Sequence, residues 1–161
     1  MTGSLRNKGT KINLTAEKKE DLLIMATLSQ DALIKITNMK WAKKKKRFLI
    51  LMTRFCWELK DFPISDEKYY QRINSIMSFE TVLAVRSKGI DQTKTSVILS
   101  LLTIKYHKSK SQIKEIELIF SGGGNLILSV ECIDIILKDV SEPFQSGASS
   151  MPTHLDINIS D

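Results

Sequence analysis

The stretch Lys114–Ser141, KEIELIFSGGGNLILSVECIDIILKDVS, decides how the chain folds. Ile116, Leu118 and Phe120 alternate with Glu115, Glu117 and Ile119, the two-residue period of a half-buried strand. Gly122, Gly123 and Gly124 supply a turn in which a positive φ costs nothing. Leu126, Leu128 and Val130 then alternate with Asn125, Ile127 and Ser129. From Glu131 the period changes: Ile133, Ile136, Leu137 and Val140 recur at helical spacing, which predicts a short amphipathic helix after the hairpin. A helix with one apolar face needs a sheet to cover, and the rest of the chain supplies strands.

Upstream, Thr15 is a plausible N-cap, with Glu17, Glu20 and Asp21 at the positive end of the helix dipole. Leu22, Met25, Ala26 and Ser29 share a face, which predicts a helix over 16–30. Residues 32–42 read as a strand whose apolar parity changes between Ile34/Ile36 and Met39/Trp41, requiring a bulge or bend near Thr37–Asn38. Lys43–Lys46 form a charged turn. Residues 47–58 follow as a strand apolar on both faces, and hence covered on both. Residues 59–70 read as a loop. Strands are expected at 73–79, 82–86 (closed by Gly89) and 97–106, with turns at 91–95 and 107–111.

The fold class is therefore α+β: a seven-stranded antiparallel sheet or partly open barrel, with an N-terminal helix and a C-terminal capping helix. Seven strands followed by a helix is the element order of a pleckstrin-homology-like barrel; an open sheet with helices on one face has the same order. Residues 1–13 read as a mobile basic N-terminus, 14–141 as a single domain, and 142–161 as a mostly disordered tail.

Composition narrows the function classes. A 42% hydrophobic fraction in 161 residues suits one domain with a real core. No apolar run approaches the roughly 20 residues that span a bilayer. The first residues, MTGSLRNKGTKIN, have no apolar core or cleavage signal, which reads as a cytosolic protein. Cys56 and Cys132 each sit in an apolar pattern and read as buried, reduced thiols, Cys132 on the core side of the last helix. The glycines at 122–124 lead into a strand, whereas a phosphate loop opens into a helix, so they read as a hairpin turn. His107 and His154 lie far apart, and no Cys/His pair has ligand spacing, so no metal site, cofactor or catalytic residue is expected.

One segment carries functional content. From Ala32 through Trp57 there is no acidic residue, while Lys35, Lys40, Lys43, Lys44, Lys45, Lys46, Arg47 and Arg54 all fall inside it. A hairpin there concentrates Lys43, Lys44, Lys45, Lys46 and Arg47 at its tip, a possible anion-binding site for nucleic acid or an anionic membrane surface. A solvated lysine turn that blunts strand pairing explains the same residues. A net charge of +6 is compatible with either. Arg54 and Arg86, inside apolar strands, either pair with buried carboxylates or mark a binding surface.

Several segments together resemble one family. Glu20–Leu23 with Gln30–Ala32, Arg54–Glu58 (RFCWE), Val82–Ile90 (VLAVRSKGI), Leu99–Ile104 (LSLLTI) and Phe120–Ile133 (FSGGGNLILSVECI) are similar to a family of small alphaproteobacterial proteins catalogued as domain of unknown function 2948. The resemblance implies no activity, cofactor or catalytic residue. The leading reading is thus a non-enzymatic cytosolic binding or scaffolding module, recognising a protein partner through its sheet edge or apolar surface. An anion-binding module acting through Lys43–Arg47 and an enzyme with an unrecognised constellation are the alternatives.

Overall fold

A computed structural model describes residues 11–59 and 71–145. The loop expected at 59–70 and the outer parts of both termini, with His154, lie outside them, apart from Leu59. Among the described residues there are eleven strands and one α-helix: β1 (Asn13–Ala16), α1 (Lys19–Leu28), β2 (Leu33–Lys35), β3 (Met39–Ala42), β4 (Arg47–Phe55), β5 (Gln71–Phe79), β6 (Val82–Lys88), β7 (Ile98–Lys108), β8 (Lys114–Phe120), β9 (Asn125–Val130), β10 (Ile135–Asp139) and β11 (Phe144–Gln145). The strands make one antiparallel sheet in the order β1-β10-β5-β4-β2-β7-β8-β9-β6, with β11 added on β5 and β3 on β4. The sheet is open, and its edges are β1 and β6.

The sheet curls around a single core. Ala16 from one edge and Val82 from the other belong to the same buried cluster as Ile50, Met77, Leu118 and Leu128. Two bulges sharpen the curl, because an extra residue bends the bulged strand and increases its twist. One interrupts β6–β9 between Val82 and Ala84, the other β7–β8 between Leu101 and Thr103. The residues passed over, Leu83 and Leu102, are 49% and 45% exposed.

The hairpin of β8 and β9 stands where the alternation places it, with Phe120 N–H donating to Gly124 O at 2.9 Å across Gly122 and Gly123, whose φ angles are 86° and 95°. Gly89 nests against this turn: a Cβ there would lie 3.1 Å from Gly123 O. The parity change expected near Thr37–Asn38 is also present, as a 3₁₀ turn over Ile36–Asn38 that separates β2 from β3.

Four expectations are corrected. Among the described residues the strands number eleven, not seven. Among the described residues there is no C-terminal capping helix, and with an open sheet the pleckstrin-homology-like order does not hold; Ile135–Asp139 is β10, inserted between β1 and β5. The helical spacing of Ile133, Ile136, Leu137 and Val140 overlaps a two-residue alternation that turns Ile135, Leu137 and Asp139 inward, all at or below 4% exposure. Cys132, freed from any helix, is exposed, while Cys56 is buried. The N-terminal helix is shorter than expected. Thr15 and Ala16 lie in β1, and the Asp21 carboxylate accepts from Glu17 N–H at 3.0 Å and Lys18 N–H at 3.1 Å to start α1. Leu22, Met25 and Ala26 of α1 are buried, and the helix packs on both β1 and β7.

Candidate functional site

Two polar features stand out, and they differ in what they leave available. The first is inside. Along β4, Phe48, Ile50, Met52 and Arg54 share the core-facing parity, so a guanidinium enters an apolar row. Its neighbours on the same face are Ser75 of β5 and Asp139 of β10, brought level by the register Met52↔Ser75 and Asp139↔Ser75. Arg54 Nη2 donates to Asp139 Oδ2 at 2.8 Å and to Oδ1 at 3.0 Å, and Nε donates to Ser75 Oγ and Asp139 Oδ1 at 3.1 Å. On its other side the guanidinium makes a fork to Glu58, Nη1 to Oε2 at 2.9 Å and Nη2 to Oε1 at 2.8 Å, and Nη1 reaches Phe55 O at 3.1 Å.

Every N–H of the guanidinium thus has an acceptor. Burial alone would lower the Arg54 pKa, but the bonds and charges of Glu58 and Asp139 outweigh it and hold the group more firmly protonated than usual. Asp139 is also tied to the chain's start: its carboxylate accepts from Ile12 N–H at 2.8 Å, and its own N–H donates to Ile12 O at 2.9 Å. Trp57 Nε1 donates to Gln30 O at 3.0 Å, anchoring the same corner to the end of α1. Between them, burial and then the Glu58 charge push the Cys56 thiol up to about 12, so it is no nucleophile at neutral pH. RFCWE is a saturated clamp joining β4, β5, β10 and the segment before β1. Its chemistry is structural.

The second feature is outside. Lys43–Lys45 form a 3₁₀ turn closed by Lys46 at a φ of 51°. The turn is braced by its surroundings. Lys46 Nζ pairs with Glu131 Oε1 at 2.9 Å, and Arg47 Nε with Glu80 Oε1 at 2.6 Å. Lys46 O accepts from Val82 N–H at 2.8 Å, so the turn abuts the first residue of the edge strand β6. Lys43, Lys44 and Lys45 are exposed, and their ammonium groups make no hydrogen bond or ion pair with the described residues. The structure therefore divides the five cations expected to act together: two are used internally, and three remain available.

Beyond Val82 the edge strand runs LAVRSK with no acidic residue. It pairs with β9 alone among the described strands, and Leu83, Ala84, Arg86, Ser87 and Lys88 are exposed. Arg86 is held by Glu115 across the sheet. The sequence reading located this strand but not its place at an edge. Edge position depends on which strands pair, and here consecutive strands β5 and β6 lie far apart in the sheet. On the outer face of β8, Glu117 accepts from His107 Nε2 at 2.9 Å and Asn125 Nδ2 at 2.7 Å, and these bonds hold its carboxyl below the usual range. No group of three or more His, Cys, Asp or Glu among the described residues could hold a metal ion, and no described helix is long and apolar enough to cross a membrane.

Fold and site together define a class: an open, curled antiparallel sheet with one covering helix, a saturated internal clamp, and one long exposed edge beside a lysine turn. The chain belongs to the family described as "Protein of unknown function (DUF2948)", whose model matches residues 12–154. No curated protein and no solved structure matches it.

Proposed function

We propose that this domain is a non-enzymatic binding module that takes an extended segment of a partner protein as an added strand on β6. The observation that carries this reading is the edge itself: from Leu83 to Lys88 the strand pairs with β9 alone among the described strands, with an apolar Leu83 extruded by the bulge. An edge of that length offers a row of backbone donors and acceptors about 20 Å long, at roughly 3.3 Å per residue. Main-chain bonding supplies affinity in this mode, and alternate side chains supply specificity. Arg86 and Lys88 discourage two copies from pairing edge to edge, the usual defence of exposed strands, without closing the edge to other segments.

Selection from a random ten-residue peptide display library, followed by amide hydrogen exchange on the complexes, tests the reading. Selected peptides are expected to slow exchange in Val82–Lys88 and to bind more weakly to Leu83→Glu. Protection confined to α1 or β7 would contradict it.

A further inference from the structure

Resting on the edge reading above, we infer that the segment accepted by β6 is acidic, with carboxylates that meet Lys43, Lys44 and Lys45 at one end of the edge and Lys88 at the other. The Lys46 O to Val82 N–H bond makes the lysine turn and the edge one continuous surface. Along that surface, the acids near the turn are already engaged: Glu80 by Arg47, Glu131 by Lys46, and Glu115 by Arg86. Asp134, whose backbone O accepts from Glu80 N–H, lies close by and offsets a part of the field. The three lysines of the turn and Lys88 have no acid of their own among the described residues, so the field along the edge is positive.

Opposite charge across a contact steers encounter and selects among partners. It also excludes a second copy of this chain, whose edge would bring like charges together. Nucleic acid would satisfy the lysines but has no use for a row of peptide donors and acceptors. An acidic extended peptide uses both features, and it is the occupant the surface fits.

The test uses the full chain and four fluorescein-labelled probes: nine-residue peptides alternating Val with Glu, Gln or Lys, and a twelve-nucleotide single-stranded RNA, with binding to phosphatidylserine-containing vesicles measured in parallel. The Glu peptide is expected to bind at least ten-fold more tightly than the Gln peptide and to slow amide exchange in β6. Its affinity is expected to fall ten-fold or more in K43E/K44E/K45E, which leaves the buried core and both ion pairs intact, and to fall with salt. Equal binding of Glu and Gln peptides with β6 protected would overturn the acidic preference and leave the edge reading standing. Binding of the Glu peptide without β6 protection would overturn both. Retention of RNA or vesicles, with the peptides ignored, would overturn the inference in favour of a polyanion site, and so would failure of every probe up to millimolar concentration.

Discussion

Replacing Arg54 by methionine keeps most of the side chain's volume and removes every bond that the guanidinium makes in the clamp. Asp139, 1% exposed in its side chain, would be left with Ser75 Oγ at 2.6 Å and Ile12 N–H at 2.8 Å as its donors and no counter-charge. Breaking one side of a buried pair in this way costs about 3–5 kcal/mol, a large part of the roughly 5–15 kcal/mol that stabilises a domain. For a chain of this size the midpoint of thermal unfolding should drop by about 6–20 °C. Glu58→Gln should cost much less, about 1 kcal/mol, because its carboxylate is 30% exposed and water replaces part of the fork. Adding Asp139→Leu to Arg54→Met removes the stranded charge, and the double variant should recover stability relative to Arg54→Met alone. Urea unfolding followed by far-ultraviolet circular dichroism measures all four proteins, and avoids relying on the fluorescence of Trp57 beside the clamp. A cost below 1 kcal/mol for Arg54→Met, or a double variant less stable than Arg54→Met, would refute the reasoning.

Three further outcomes follow from the same structure. At pH 7.5 a thiol reagent should modify Cys132 in the native protein and reach Cys56 only on unfolding, because Cys56 is buried and its pKa is raised to about 12; equal rates in the native state would contradict this. Gly89→Ala should destabilise more than Gly122→Ala. Both pay for a positive φ, about 1–2 kcal/mol, but only the Cβ at position 89 meets a backbone oxygen, at 3.1 Å, as paired thermal melts would reveal. Glu117, whose folded pKa is lowered by His107 and Asn125, contributes stability that is fully present above its unfolded value near 4.3 and lost as pH falls through the folded value. The stability difference between wild type and Glu117→Gln should therefore shrink on going from pH 6 to pH 3; a constant difference would contradict the assignment.

The legible parts of the fold are those in which one side chain pattern has one meaning. Ile116, Leu118 and Phe120 before three glycines leave little room for anything but a hairpin, and the change of parity between Ile36 and Met39 marks a break that the 3₁₀ turn supplies. Residues 133–140 carry two patterns at once. Ile133, Ile136, Leu137 and Val140 fit a helix, whereas the strand reading puts Asp139 inward, which hydrophobicity alone rejects. Only Arg54, 85 positions earlier in the chain, makes that aspartate acceptable inside. The arginine was visible as an intruder in an apolar strand; its partner was hidden because the pairing of β10 with β5 is not local. β1 escaped notice for the same reason. NLTA is four residues long, and its partner strand lies at the far end of the domain. Of the candidate site, the lysine turn could be read directly from Lys43–Arg47, but the engagement of Lys46 and Arg47 depends on Glu131 and Glu80, which come from other turns.

The edge formed by β6 is where the proposed binding takes place. Amide hydrogen exchange of Val82–Lys88, measured with and without a saturating library-selected peptide, tests it in one comparison. The expected result is fast exchange at the outward-facing amides beyond Val82, whose own N–H is held by Lys46 O, in the free chain, and marked slowing on binding, with α1 and β7 unchanged. If these amides are already protected in the free chain, or stay unprotected in the complex, β6 is not the docking edge and the proposed mode of binding is wrong.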